Sequence, residues 1–338
     1  IIVKPSEYLY TAQRLDFKNT GAGDMTITVF IMFGIGLVLI IKGGDYFVDA
    51  ASFLAYVTGI PKFIIGATVV SIATTMPELT VSLLASLEGQ KEIAVGNAVG
   101  SVACNIGVIM AVSLLFLSGK QAKHGLRTKS LLLIAAVLFL WAFGINSQLS
   151  FEESSLLLLI FLLFMLSNVR ESKTGRQEER IRVRPERKES LLNVLKFVLG
   201  VAAIILGARL LVDNGTAIAR IFFVPESIIA LTLVAFGTSL PELATAITAI
   251  RKKESSLSVG NIFGANILDL TMILPVCAFA DGGYLSIPPR TSKLDLPAVI
   301  IMSLTAVLPA IKNGGFRKWQ GVVLLAEYGV YLAILVLV

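Results

Sequence analysis

The sequence predicts an all-α polytopic membrane protein in which ten transmembrane helices form two five-helix repeats of inverted topology. Three observations support this fold class: the composition, ten long apolar segments and a repeat at a fixed offset. Of the 338 residues, 55% are hydrophobic and 15% are charged, whereas a soluble domain carries about 25% charged residues. The composition therefore places the protein in a lipid bilayer and excludes a disordered or nucleic-acid-binding chain.

Ten apolar segments are long enough to cross a membrane, since a helix needs about 20 residues for a hydrocarbon core of roughly 30 Å. Continuous apolar stretches of this length exclude a β-barrel, whose strands run about 9–11 residues with alternating polarity. The predicted spans are residues 26–42, 60–85, 93–118, 130–146, 151–168, 191–212, 225–250, 257–280, 295–311 and 319–338.

The spans divide the chain into four parts. A polar tail at 1–24 lacks an apolar signal core. Because Met25 would make a sensible native start, we interpret this segment as an appended or unplaced tail without a function. The first five-helix repeat covers 25–168, a basic loop covers 169–190, and the second repeat covers 191–338.

Positive charge is concentrated in alternate loops, those that follow spans 3, 5, 7 and 9. Cytoplasmic loops of membrane proteins are enriched in Lys and Arg. We therefore predict a multi-pass protein of the plasma membrane with a cytoplasmic central loop and both termini outside. The basic residues of the central loop are Arg170, Lys173, Arg176, Arg180, Arg182, Arg184, Arg187 and Lys188.

The two halves align without a gap when the chain is shifted by 164 residues. Between 61–105 and 225–269, 14 of 45 positions are identical, and they include Pro, Glu, Asn and Gly residues that a general apolar bias cannot match. Each half holds five spans, an odd number, so the second half must enter the membrane from the opposite side. Inverted repeats build a midplane site from broken helices and are typical of transporters.

Polar residues cluster in the middle of spans 2 and 7, where hydroxyl groups and a glutamate share one helical face. A proline beside each glutamate has no N–H for the carbonyl four residues earlier, so bare carbonyl oxygens join the hydroxyls and the carboxylate. Hard cations such as Na⁺ and Ca²⁺ prefer an all-oxygen shell. The residues are Ser71, Thr74, Thr75 and Glu78 in span 2, and Thr238, Ser239 and Glu242 in span 7.

Spans 3 and 8 supply a second polar face. Asn97, Ser101 and Asn105 are spaced by four on one face of span 3, and the corresponding residues of span 8 are Asn261, Ala265 and Asp269. Asp269 thus adds a third acidic group in the middle of an apolar span. A charged residue at that depth costs at least about 2.5–3.5 kcal/mol, so acidic residues there are functional by default.

A simpler interpretation exists for each acidic residue, because a protonated carboxyl can merely hydrogen-bond a neighbouring helix. Two copies of one T-[TS]-x-P-E pattern in inverted repeats favour an ion site instead.

Enzymatic chemistry and a bound cofactor are not expected. The single histidine, His124, lies in a polar segment, and the two cysteines, Cys104 and Cys277, have no metal-type spacing.

The chain resembles the cation/calcium exchanger superfamily in the segments GATVVSIATTMPELTVS with GNAVGSVACNIG, and ALTLVAFGTSLPELATA with GNIFGANILDL, which match its two alpha-repeats. The similarity is greatest to prokaryotic sodium/calcium exchangers and covers nearly the whole chain after Met25. It implies antiport of Ca²⁺ against Na⁺, with Glu78 and Glu242 as the main carboxylate ligands. The other implied ligands are Thr74, Thr75, Thr238 and Ser239, the carbonyls of Ser71 and Ala235, the hydroxyl of Ser101, and Asn105 with Asp269 at a middle position.

The chain departs from the family pattern at three positions. Ala73 replaces a glycine, and Thr75 and Ala265 replace serines. A methyl group cannot coordinate a cation, so Ala265 is expected to weaken, hydrate or remove one sodium site. A proton or a potassium ion would then take part of the coupling.

Two alternatives to Ca²⁺/Na⁺ exchange stay open. The first is a Ca²⁺/H⁺ antiporter, or a K⁺-assisted one, in which Glu78 or Glu242 binds the proton. The second and less favoured is a gated cation channel, because channels usually gather several copies around an axis whereas this repeat closes within one chain. The oligomeric state is not predicted.

Overall fold

The computed structural model describes residues 22–116, 126–178, 185–222 and 237–337, and nearly all of them are helical. The first half contains α1 (Ala22–Thr58), α2 (Lys62–Thr74), α3 (Met76–Leu87), α4 (Lys91–Leu115), α5 (Leu126–Gly144) and α6 (Phe151–Glu178). The second half contains α7 (Arg187–Ile221), α8 (Leu240–Arg251), α9 (Ser255–Ala280), α10 (Thr291–Asn313) and α11 (Lys318–Leu337). Two short antiparallel strands, β1 (Gln148–Leu149) and β2 (Leu285–Ser286), pair two loops.

The prediction of a helical protein that crosses the membrane several times is confirmed. Among the described residues, eight helices are long and apolar enough to cross a membrane, and the bent pair α2–α3 makes a ninth. The one predicted span that is not among these nine is span 7, residues 225–250. It begins outside the described residues, and its described part contains α8. The helix α6 also continues to Glu178, well into the segment predicted as a basic loop.

Helices α1 and α7 form a long antiparallel pair on the outside of the protein. They contain 37 and 35 residues, so at 1.5 Å per residue each is over 50 Å long and exceeds the hydrocarbon thickness. The pair is closely packed: a Cβ added at Gly36 would lie 3.0 Å from the carbonyl oxygen of Gly207, and one at Gly43 would lie 2.9 Å from that of Gly200. Side chains at these crossings would push the two helices apart.

The centre of the protein is made by α4 and α9, whose apolar segments are mostly buried, whereas those of α1 and α7 mostly face outward. Helix α9 lies directly against α2. A Cβ at Gly260 would overlap the carbonyl oxygen of Phe63, and one at Gly264 would overlap the side chain of Ser71. Glycine at both positions therefore allows the backbones of α2 and α9 to touch.

Local structure repeats at the 164-residue offset. Helices α3 and α8 each have 12 residues, and their first residues, Met76 and Leu240, are 164 apart. The backbone angles of the preceding residues also agree, with φ −83° and ψ −3° at Thr75 and φ −85° and ψ 3° at Ser239. A wide π-helical turn begins at Asn105 in α4 and at Asp269 in α9, again at equivalent positions.

Ion pairs and strand pairing show which loops share a face of the protein. At one face, Lys62 contacts Glu254 at 2.6 Å, Lys252 contacts Asp49 at 2.6 Å, and the buried Lys129 pairs with Glu171. At the other face, β1 pairs with β2, and Lys91 contacts Asp281 at 3.2 Å. These groupings agree with the alternation of basic and less basic loops in the sequence.

Cysteines introduced at Ser172 and Asn146 are expected to react from opposite sides of the membrane. Ser172 lies near the end of α6, beside the Lys129–Glu171 pair, and Asn146 lies in the exposed turn before β1. A membrane-impermeant maleimide applied to right-side-out and inside-out vesicles measures this. Both native cysteines are buried, so the unsubstituted protein serves as the negative control for labelling. Labelling of both positions from one side would contradict the assignment of these two loops to opposite faces of the protein.

Candidate cation site

The site lies where two helices are interrupted at equivalent points of the repeat. Helices α2 and α3 meet at a bend of 44°, and Thr75 lies between them. Pro77 and Pro241 occupy the first turns of α3 and α8. Because proline has no N–H, the carbonyl groups of Ala73 and Gly237 lose their usual helical donor. Each interruption therefore presents backbone oxygens inside the protein.

Three acidic side chains lie at these points, as predicted. Glu78 and Glu242 are in the first turns of α3 and α8, where the helix dipole favours negative charge, and Asp269 begins the π-helical turn of α9. Each is only 1% exposed. They are near enough to repel one another electrostatically: Glu242 acts on both Glu78 and Asp269, and Asp269 acts on Glu78.

The oxygen atoms of this cluster lack protein partners. A buried polar atom usually has a hydrogen bond, because leaving it without one costs about 1–3 kcal/mol and more for a charge. In the described part of the chain, nine buried side-chain oxygens at the site have none: both carboxylate oxygens of Glu78, Glu242 and Asp269, the hydroxyls of Thr75 and Ser239, and Oδ1 of Asn105. Such a concentration of buried oxygens without partners is chemically suited to a cation.

The remaining hydroxyl groups connect the two repeats. Thr74 donates to Oδ1 of Asn261 at 3.3 Å, and Thr238 donates to Oδ1 of Asn97 at 3.3 Å. These two hydrogen bonds are equivalent under the 164-residue shift, with the repeats exchanged. Ser101 adds a hydroxyl 3.5 Å from that of Thr238. The hydroxyls of Thr74 and Thr75 lie beside Glu242, across the repeat boundary.

Two predicted carbonyl ligands have different outcomes. The carbonyl oxygen of Ser71 accepts the backbone N–H of Thr75 at 2.9 Å, which leaves it a second lone pair. The Ser71 hydroxyl donates to the carbonyl of Thr68 at 3.1 Å and so faces its own helix. Ala235 lies outside the described residues.

The site is a mixed oxygen cage and not an acidic cluster. Among the described residues, no group of three or more acidic, histidine or cysteine side chains is arranged to hold a metal ion by itself. A cation bound here would need the hydroxyl, amide and carbonyl oxygens as well as the carboxylates. Hard cations, which take six or more oxygens in the case of Ca²⁺, suit such a shell.

Asn97 and Asn261 were absent from the predicted ligands, although they hold the hydroxyls of the site. Both belong to a Gly-Asn pair that recurs at the repeat offset, which is the signal that marks them in the sequence. Ala265 is fully buried and brings no oxygen to the position where the other repeat has Ser101.

Comparisons with known proteins agree with this geometry. A family model described as sodium/calcium exchanger protein matches residues 28–170 and 192–337. Inner membrane protein YrbG of Escherichia coli is 36% identical over 312 residues, covering 89% of this chain and 94% of that protein. Sodium/calcium exchanger MaX1 of Methanosarcina acetivorans is 29% identical, covering 91% and 99%.

A solved structure of the sodium-calcium exchanger NCX_Mj, soaked with Na⁺ and Sr²⁺, has the same fold. It aligns with a TM-score of 0.79 at 29% identity and covers 91% of this chain and 99% of that one. The family model matches both halves of the chain, and a relative more than 30% identical is covered almost completely. This chain belongs to the sodium/calcium exchanger protein family.

Proposed function

We propose that this protein is a secondary antiporter that exchanges Ca²⁺ for Na⁺ across the plasma membrane by alternating access. The observation that carries the proposal is the set of nine buried oxygens without protein partners, six of them on carboxylates. Family membership supports the choice of ions, because the related MaX1 and NCX_Mj are named as sodium/calcium exchangers. The reaction is transport without covalent chemistry, so no cofactor is required.

Coupling would follow from shared ligands. Glu78 and Glu242 face the same cage from opposite repeats, with the hydroxyls of Thr74 and Thr238 beside them. A Ca²⁺ ion that uses both carboxylates leaves too few oxygens for Na⁺, and bound Na⁺ ions take oxygens that Ca²⁺ needs. Occupancy by one kind of ion would exclude the other, which is the requirement for exchange.

The architecture supports ten spans in two inverted five-helix repeats. Elements of equal length, equal backbone angles at Thr75 and Ser239, and cross-repeat hydrogen bonds recur at the 164-residue offset. The antiparallel contacts of Gly36 with Gly207 and of Gly43 with Gly200 are also equivalent under this offset. A twofold relation of this kind gives a site two equivalent routes of access.

Alternating access would come from movement of the α1–α7 pair along the core. Its close glycine packing lets it move as one body. Phe47 and Ile204 of the pair line a gap too narrow for water, with Thr74 and Pro241 of the interrupted helices on its other side. This apolar contact offers little resistance to sliding, whereas the ion pairs of Lys252 with Asp49 and of Arg251 with Asp45 at the end of α8 would have to break.

The positive-inside rule orients this arrangement. The face that carries Lys62, Lys129 and Lys252 would be cytoplasmic, together with the central loop, and both termini would be outside. Calcium leaving the cell would then enter the site from this basic face.

Replacing either Glu78 or Glu242 by Gln is expected to reduce Ca²⁺ flux to background, because the amide keeps the shape but removes a charged ligand. The measurement is Ca²⁺ uptake into proteoliposomes with Na⁺, K⁺ or H⁺ gradients imposed in turn. Glu327→Gln is the matched control, since Glu327 lies in α11 and pairs with Thr305 at 2.7 Å, outside the site. Near-normal flux in either site variant would reject the shared-ligand proposal.

Exchange is expected to respond to membrane voltage. Three ionised carboxylates can balance three Na⁺ ions but leave one negative charge over a single Ca²⁺, so each cycle would move one net charge. That movement is worth about 2.3 kcal/mol per 100 mV. Uptake measured with the potential clamped by K⁺ and valinomycin at several values tests this, and flux independent of voltage would refute the charge count.

Ala265→Ser is expected to lower the Na⁺ concentration required for exchange, because it restores an oxygen that Ser101 supplies in the other repeat. Ser101→Ala is the matched variant and should raise the requirement. The Na⁺ dependence of Ca²⁺ flux measures both.

A second candidate function is Ca²⁺/H⁺ or K⁺-assisted exchange, and it rests on the hydroxyl that Ala265 lacks. Uptake driven by a pH step or a K⁺ gradient without Na⁺ would decide for it.

A further inference from the structure

We propose that Asn97 is a positioning residue that fixes the hydroxyl proton of Thr238, so that the oxygen of Thr238 always faces the cation as an acceptor. Asn261 does the same for Thr74, but less firmly. This inference rests on the proposed function, because it assigns how two hydroxyls of the same site are kept ready for an ion.

The hydrogen-bond network around Asn97 has only one consistent direction. Its amide NH₂ group donates to the backbone carbonyl of Glu78 at 3.3 Å and to the hydroxyl of Ser82 at 2.9 Å. A carbonyl can only accept, so the NH₂ group must face Glu78 and the amide oxygen must face Thr238. The hydroxyl of Ser82 in turn donates to the carbonyl of Ala94 at 3.4 Å.

Thr238 is constrained by this arrangement. A hydroxyl has one proton and two lone pairs. Since the amide oxygen of Asn97 accepts that proton at 3.3 Å, Ser101 can only donate across its 3.5 Å contact with Thr238, and one lone pair of Thr238 is left for a cation. A free hydroxyl would have to rotate its proton away from the positive ion each time an ion binds. Asn97 removes that step before binding, which is preorganisation of a ligand.

The equivalent group in the other repeat is less constrained. The amide oxygen of Asn261 accepts the proton of Thr74 at 3.3 Å, but its NH₂ group has no partner among the described residues. The repeat places Ala246 where Ser82 stands. Thr74 also has a second acceptor, the carbonyl of Ser71 at 3.4 Å. The two hydroxyls therefore differ in how firmly their protons are held.

The test is a double-mutant cycle of Asn97→Ala and Thr238→Val, read as ion binding. The melting temperature of the solubilised protein is measured against Na⁺ and, separately, Ca²⁺ concentration, because an ion that binds the folded state raises it. Each single variant is expected to raise the half-maximal ion concentration about 3- to 10-fold, the value of one hydrogen bond. The double variant should show no further increase over Thr238→Val.

A purely structural role predicts a different pattern. Loss of the contacts from Asn97 to Glu78 and Ser82 would lower the ion-free melting temperature in both backgrounds, and this is expected as well. Only the positioning role makes the shift in ion requirement disappear when Thr238 has no hydroxyl. Additive shifts in ion requirement would overturn the proposal.

A second pair of variants covers the case in which Asn97→Ala does not fold. Ser82→Ala removes one of the two acceptors of the Asn97 amide, the other being the carbonyl of Glu78, and should raise the ion requirement slightly, again only while Thr238 is present. Ala246→Ser supplies the missing partner of Asn261 and should lower it. No change in either variant would overturn the proposal.

The readout separates this proposal from the proposed function. If ions stabilise the protein in the predicted pattern but proteoliposomes show no exchange, the antiport function fails and the positioning role stands. If neither Na⁺ nor Ca²⁺ stabilises the unsubstituted protein, there is no cation for Thr238 to face, and the positioning role is overturned.

Discussion

Three carboxyl groups are buried in the middle of a membrane protein without hydrogen-bond partners in the described structure, and the rest of the architecture can be understood from that constraint. Buried charge is tolerated only when it is paired or coordinates an ion. The interrupted helices bring backbone oxygens to the carboxylates, and the first turns of α3 and α8 direct their dipoles at Glu78 and Glu242. Under the proposed function a cation completes this set, and ion binding would then be coupled to local stability.

The twofold relation of the repeats explains how one chain makes such a cage. Each repeat supplies a broken helix and a polar helix, and the hydrogen bonds from Thr74 to Asn261 and from Thr238 to Asn97 join each broken helix to the polar helix of the other repeat. The repeats depart from symmetry at several positions of the cage, most strongly where Asn105 of the first repeat corresponds to Asp269 of the second. Ala265 and Ala246 lack the hydroxyls that Ser101 and Ser82 provide, so the two ends of the cage are chemically different.

Ion pairs join α1 to the core at the basic face of the protein. On the basic face, Lys252 contacts Asp49 at 2.6 Å and Arg251 contacts Asp45 at 3.6 Å, which ties α1 to the end of α8. The equivalent of Lys252 in the first repeat is Glu88, and the equivalent of Asp49 is Asp213, so the same ion pair cannot form between α3 and α7. The two repeats therefore differ in charge where these helices meet.

The sequence by itself determined the membrane class, the repeat and nearly all of the candidate ligands, because apolar length, helical spacing and a fixed offset are local properties that survive without coordinates. Pro77 and Pro241 also marked the helix interruptions. The tertiary structure alone decided which oxygens lack partners, that Asn97 and Asn261 reach across to Thr238 and Thr74, and that Ser71 turns its hydroxyl to its own helix. The cross-repeat bonds of Asn97 and Asn261 join residues more than 130 positions apart, and hydrogen bonds of that kind are set by how helices pack, which no local pattern encodes.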